Sequence, residues 1–510
     1  MGIEPVERHR FEPDASFDGG DMDCGAGLLL LLRQHIDPLA RGALLEIRST
    51  DSTVEVELPA WCGLTGNEFV SFTRVGAQRS YLVCKGRLAE RPANAPAASA
   101  RGPARAERVP VRPLAVLPAP APAAAIAPLA LMGIGSWPRP RWLRTALAAH
   151  LERRIGEEEF QATADDAVRL AVEAQRRAGV DVLTDGEQRR DSYASFVGDR
   201  LDNCQLIPLT DLLPLVEDPE HFRRELAALD VPASEVRHPA VLGPLGRSRP
   251  LSVHELEFVQ RLADLPVKVA LPGPYLLTRT LWMECLAERA YTRREDLARD
   301  VVRVLREEIH CLLAAGAALV QLDEPVLSEV VFSGPKNTRS FMCGALSERG
   351  DAQRELAFAA ELEAQVCAGL PPERLALHVC RGNWTPDESV ALRGDYRPLL
   401  GFLSGVPVGT LFLELCTPRA GEMELLRALP ERLRIGVGVV NPKRPEIESP
   451  EEIEARARRA IDLFGRGRVL LVPDCGFATF ANNPLASAEV AERKLAAIAA
   501  AARRLRTPPA

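Results

Sequence analysis

From residue 129 onward the chain alternates between short apolar runs and longer stretches with helical spacing. Eight runs have strand length. They are "LALMGIGS" (129–136), "DVLTDGE" (181–187), "VKVALPG" (267–273), "LVQLDEP" (319–325), "LALHVC" (375–380), "TLFLELC" (410–416), "RIGVGVV" (434–440) and "VLLVPDC" (469–475). Between them lie stretches such as "ADDAVRLAVEAQRRAG" and "SPEEIEARARRAIDLFG", whose apolar residues recur at three and four. Eight strand–helix units predict an α/β fold, a TIM barrel, with an insertion at about 193–266 after the second strand. A doubly wound open sheet is the rival with the same alternation.

The first 86 residues have a different rhythm. An apolar run after Cys24 suits a helix of about four turns ended by Gly42. "ALLEIRS" reads as a strand, Pro59 to Gly66 as a short helix, and "EFVSFTRVGAQRSYLVCKG" as two strands around a glycine turn. This predicts a small α+β sandwich over 11–86, separate from a large unit over 129–505. The stretch 87–128 is dominated by alanine, proline and arginine, which predicts a disordered, semi-rigid linker.

Composition narrows the function classes. A net charge of -7 disfavours nucleic acid as a partner, and no apolar run is long enough to span a bilayer. The polar N-terminus has no signal-peptide core, so a cytoplasmic location is expected. Eleven cysteines scattered through a long chain do not read as a disulfide framework.

The chemistry gathers where strands end. Ser136, Asp185, Glu187, Asp323, Glu324, His378, Cys380, Glu414, Cys416, Asn441, Asp474 and Cys475 all close apolar runs. His378 and Cys380 are two apart, so the strand period puts both on one face. With Glu414 or Cys416 on the next strand and Cys475 on the last, they form a candidate zinc site. On pattern alone the competing reading is a core histidine with buried thiols.

The motifs "IGSWPRP", "DVLTDGEQRRDSY", "LPGPYLLTRTLW", "VQLDEPVLSE", "LHVC", "LFLE" and "LLVPDCGFATF" occur in that order. Together they resemble the catalytic half of cobalamin-independent methionine synthases and their shorter relatives. The resemblance implies a TIM barrel in which zinc activates a thiol for alkyl transfer. It puts the zinc ligands on His378, Cys380, Glu414 and Cys475. It puts the grip on the thiol substrate on Ile134, Gly135, Ser136, Glu187 and Asp323, with Glu329 as a further carboxylate. Trp282 matches a tryptophan near the pterin of methyltetrahydrofolate, the implied methyl donor. Lys443 stands where those synthases carry a proton-donating histidine, and Arg419 lies in a loop longer than theirs.

The segment 11–86, with Cys24 ahead of a helix, resembles the TusA-like sulfur carriers, although "CGAG" replaces their proline-containing turn. That likeness implies a persulfide relay at Cys24 and a sulfur-donor protein as partner. The reading that joins both resemblances is a zinc-dependent methyl- or alkyltransferase acting on a small-molecule thiol or persulfide, with catalytic Cys24 and Lys443. Two alternatives stand beside it: a short methionine synthase that methylates homocysteine, and a sulfur-trafficking protein without catalysis.

Overall fold

A computed structural model describes residues 5–20, 28–37, 39–76, 78–91, 109–151, 154–208, 237–282, 291–332 and 351–507. Cys24 lies outside the described residues.

Six strands form one parallel sheet, in the order Lys268–Pro272, Leu319–Asp323, Leu375–Val379, Thr410–Leu413, Arg434–Val440 and Val469–Pro473. Three isolated parallel bridges continue it: Leu183 with Val267, Met132 with Val182, and Leu131 with Leu471. The pairing thus runs from the last strand back to the first, giving an α/β, barrel-like arrangement in chain order. The first two runs pair only at single bridges.

The two-residue period sorts the strand side chains. Leu375, Leu377 and Val379 face outward into the large core shared with the helices, as do Leu411, Leu413, Val320 and Leu322. Ala130, Met132, Ile134, Val182, Leu319, Ala376, Phe412, Leu470 and Val472 form a second, inner core. His378 and Cys380 continue the phase of Ala376, and Glu414 that of Phe412. Small residues make room inside: a Cβ on Gly436 would lie 2.1 Å from Phe412 Cδ1, and one on Gly438 would lie 1.9 Å from Asp474 Oδ1.

The expected insertion contains an antiparallel pair, Asp202–Pro208 with Arg237–Gly246, followed by the helix Val253–Gln260. The N-terminal unit is a four-stranded sheet, Ala15–Asp18, Leu44–Ser49, Gln78–Cys84 and Glu68–Val75 in spatial order, with helices Leu29–Ile36 and Val54–Thr65. Three sequence expectations need correction here. The first helix is shorter than four turns, since Pro38 lacks the N–H that a further turn requires. The second begins at Val54 and continues through Pro59. The polar tail also supplies a strand, parallel to Leu44–Ser49.

The described half of the proline-rich stretch also departs from a disordered linker. Val109 N–H donates to Asn203 Oδ1 at 2.9 Å, Leu114 N–H to Glu307 Oε1 at 3.2 Å, and Ala121 N–H to the Leu313 carbonyl at 3.0 Å. His310 Nδ1 meets the Pro118 carbonyl at 3.0 Å. Proline-poor positions supply donors between the prolines, and the extended chain is pinned along the helix Arg294–Ala314.

Candidate active site and metal centre

His378, Cys380 and Cys475 are buried, and one ligand atom from each lies within 4.8 Å of the other two. Asp323 Oδ1 sits 2.8 Å from His378 Nδ1. That contact fixes the ring and leaves Nε2, which is buried and has no hydrogen-bond partner among the described residues. Asp323 is itself held by Gln321 Nε2 at 2.7 Å. Gln321 in turn accepts from Lys268 Nζ, which also donates to the Ile134 carbonyl at 2.5 Å and lies 4.7 Å from the Phe412 ring centre. A buried hydrogen-bonded line therefore runs from Lys268 to the imidazole. Burial lowers Lys268 to about 7 against the pull of Asp323 and Glu187.

The two thiols divide one proton unequally. The hydrogen bond from Cys475 lowers Cys380 to about 6, against burial and with help from His378. Cys475 is pushed up, by that same hydrogen bond first and burial next. For His378, burial is the largest effect and lowers its pKa, but the hydrogen bond and charge of Asp323 outweigh it and raise it overall. An unpartnered buried ring nitrogen beside two sulfurs suits a thiophilic cation such as zinc, and Asp323 is the outer partner that metal-bound histidines carry.

Glu414 does not join this trio. It is fully buried, but Oε1 accepts from Arg419 Nε at 2.6 Å, while Oε2 accepts from Asn383 Nδ2 at 2.9 Å and Arg381 N–H at 3.2 Å. The four-residue ligand set expected from the sequence is thus three residues together and one held aside by an arginine. Cys416 is not in the trio either. It follows Glu414 by two, half-buried, where burial and Asp474 raise its pKa.

One cavity opens onto the trio. Ile134, Ser136, Glu187 and Asp323 line it together with His378, Cys380 and Cys475. Glu187 adopts φ 54, a left-handed conformation that a non-glycine residue holds only where its surroundings enforce it. Its N–H donates to Asp185 Oδ1 at 3.0 Å, and its carbonyl accepts from Arg139 Nη2 at 2.7 Å. Gly135 makes this possible, since a Cβ there would lie 2.1 Å from Glu187 Oε1. Glu187 Oε2 is buried without a hydrogen-bond partner among the described residues, and burial raises the carboxyl to about 7 despite Arg190. Ser136 Oγ accepts from Ala478 N–H at 3.3 Å.

Other expected residues stand apart from this lining. Trp282, half-buried at the end of the helix Pro274–Leu281, packs against the outer core, and Glu329 lies 3.9 Å from Arg279. Lys443 is buried on the Glu414 side, where Nζ donates to the Asp387 carbonyl at 3.2 Å. Burial first, and Arg419 next, lower it to about 8. Several lining residues were not anticipated: Tyr193, Asn383, Trp384, Thr479 and Phe480. They sit in loops past the strand ends. For Lys268 a signal existed: a lysine at an inward position of the apolar run "VKVALPG".

Fold and site together define a class: a parallel α/β protein whose strand ends converge on a candidate metal centre beside an acidic pocket. Within it, the chain belongs to the family described as cobalamin-independent synthase, catalytic domain, whose profile matches residues 129–211 and 228–502. The methionine synthase of Sulfurisphaera tokodaii is 27% identical over 345 residues, 67% of this chain and 84% of the relative. That of Saccharolobus solfataricus is 25% identical over 364 residues, 71% of this chain and 90% of the relative. A B12-independent methionine synthase from Shewanella sp. W3-18-1, solved in complex with selenomethionine, superposes with a TM-score of 0.57 at 23% identity, covering 74% of this chain and 98% of that one. This last likeness speaks for the fold alone.

Proposed function

We propose that the chain is a short methionine synthase, transferring a methyl group from a methyltetrahydrofolate-type donor to the thiol of homocysteine. The observation that carries this reading is the shared cavity, in which the His378–Cys380–Cys475 trio faces the same space as Glu187, Asp323 and Ser136. An amino-acid thiol has three features to match. Its ammonium suits Glu187 and Asp323, its carboxylate suits Ser136 and the 134–136 backbone, and its sulfur suits the trio. The curated relatives carrying the name methionine synthase support the same choice. This reading takes the ring of parallel pairs as a complete (β/α)8 barrel, with 129–505 as the catalytic unit.

His378, Cys380 and Cys475 would hold a zinc ion, which when bound supplies a Lewis acid that favours the thiolate form of a sulfur nucleophile. The chain's own residues do the rest. Asp323 keeps His378 Nδ1 occupied and the ring fixed. Trp384 and Phe480 restrict water beside the sulfur. Glu187 and Asp323 orient the substrate so that one sulfur lone pair faces the donor, which converts binding into proximity. Lys443, lowered to about 8 on the Glu414 side, is the candidate this reading keeps for delivering a proton to the departing folate nitrogen.

The relay at Cys24, with its sulfur-donor protein, rests on the sequence likeness alone. The decisive assay gives the purified full-length chain homocysteine and methyltetrahydrofolate and measures methionine. Turnover is expected. Alkylation of another thiol in preference to homocysteine, such as a sulfonated one, would overturn the substrate assignment.

A further inference from the structure

Arg139 stands between two prolines in "SWPRP", just past the first apolar run. Pro138 fixes its own φ, and Pro140 disfavours a helical backbone at Arg139, so the side chain leaves a stiff mount. The residue is buried, at 5% exposure. Its guanidinium ends on two main-chain carbonyls from different loops. Nη2 donates to Glu187 at 2.7 Å, and Nη1 donates to Ala478 at 3.1 Å. Nε is buried without a hydrogen-bond partner among the described residues. The side-chain charges that reach the guanidinium are those of Glu187, Asp191, Asp185 and Arg190.

Both loops line the cavity. In the first, Gly186 at φ 70 and Glu187 at φ 54 are successive left-handed residues. Glycine enters that region freely and glutamate does not, so something must keep Glu187 there. Its N–H is taken by Asp185 Oδ1, and its carbonyl by Arg139 Nη2 and by Arg190 N–H at 3.1 Å. The second loop holds Ser136. Phe477 N–H donates to the Ser136 carbonyl at 2.9 Å, and Ala478 N–H donates to Ser136 Oγ at 3.3 Å. Ala478 thus touches Ser136 through its N–H and Arg139 through its carbonyl. We propose that Arg139 is a positioning residue for amino-acid recognition: by bridging the Glu187 and Ala478 carbonyls it sets the separation of the Glu187 carboxylate from the Ser136 hydroxyl, and so selects thiols that carry an ammonium and a carboxylate on one carbon. This rests on the methionine synthase reading of the cavity. The planar fork of arginine spans two carbonyls at once, which the point charge of a lysine does not reproduce. Without the fork, the left-handed turn loses a bond that over-determines it, and the two grips are no longer held in register.

The test uses the full-length, zinc-loaded protein with methyltetrahydrofolate and three thiols. They are homocysteine, 4-mercaptobutyrate, which lacks the ammonium, and 3-mercaptopropylamine, which lacks the carboxylate. Wild type is compared with Arg139→Met and Arg139→Lys. Wild type favours homocysteine over either analogue by about 100-fold or more in kcat/KM, because each analogue leaves one buried grip unmatched. Arg139→Met raises the KM for homocysteine by about tenfold to 100-fold with kcat within about threefold. Each analogue uses a single grip, so its kcat/KM stays within about threefold of wild type and the preference for homocysteine collapses. Arg139→Lys falls between the two, and zinc content matches wild type throughout. A role in stability alone lowers the melting temperature and leaves the preference intact. A folded Arg139→Met that keeps the homocysteine preference overturns the proposal. So does one that loses all three thiols equally or loses its zinc, since the bridge then supports the centre and not the substrate's amino-acid head. If Arg139→Met fails to fold, Arg139→Lys decides by the same ratio. A wild type that does not methylate homocysteine, or does not prefer it to the analogues, overturns the methionine synthase reading itself; an active wild type with an unchanged ratio in the variants overturns only the role of Arg139.

Discussion

Two trios of potential ligands occur among the described residues, and they are easily confused by distance alone. His378, Cys380 and Cys475 form one; His150, Glu157 and Asp199 form the other, with donor atoms equally within 4.8 Å. Their surroundings differ. The first is buried at strand ends, supplies two sulfurs, and has one ring nitrogen committed to Asp323. The second lies around helix ends, with Glu157 at 46% and Asp199 at 41% side-chain exposure. Its His150 Nε2 already faces Glu157 at 3.3 Å and Asp199 at 3.8 Å, and Arg200 and Gln161 share Glu157. Proximity creates both clusters; burial, soft donors and an anchored imidazole distinguish a candidate centre from a solvated ion-pair network.

The largest effect expected from that difference falls on the sulfurs. Replacing Cys380 or Cys475 by serine should cost more zinc affinity than the ~100-fold upper range for an outer partner, and methyl transfer should vanish with the metal, as equilibrium dialysis and product assay would show. Next comes the anchor. Asp323→Asn should lower zinc affinity by about 10- to 100-fold by releasing the His378 ring, with folding unchanged by circular dichroism.

A smaller effect concerns the pocket wall. Glu187 is raised to about 7, so it is mostly protonated at pH 6 and mostly ionised at pH 8. Pairing with a substrate ammonium requires the ionised form. The KM for homocysteine should therefore fall about tenfold between those pH values, and Glu187→Gln should flatten the profile. For stability the sign is opposite. A carboxyl raised in the folded state contributes most below its ordinary range and loses that contribution as pH rises through about 7. The smallest effect marks the contrast itself: His150→Ala should leave zinc stoichiometry unchanged, measured on the same preparations.

Much of this site is legible in the sequence because the strand period and the barrel-like order do the placing. Ile134, Ser136, Glu187, Asp323, His378, Cys380 and Cys475 each follow an apolar run, and parallel strands in chain order bring run ends to one edge. What is not legible is which partner a strand-end side chain takes. Glu414 has the right register, but Arg419 arrives from a turn whose path no periodicity fixes. Lys268 shows a related gap, since its amide partner lies on the next strand and its carbonyl partner on the first run, two away in the ring. Trp384, Phe480 and Tyr193 line the cavity from loops, where apolar patterning carries no phase. The pinned half of the proline-rich stretch was obscured for another reason: composition reports the absence of a core, not the presence of a neighbouring helix to lie along.

Metal analysis of the purified full-length chain tests the account most directly. It predicts about one zinc ion per chain, retained by His150→Ala and absent from a Cys380→Ser/Cys475→Ser double variant, in line with a set of buried nitrogen and sulfur donors. Full homocysteine methylation by protein stripped of metal, or zinc that follows His150 rather than the two cysteines, would contradict it.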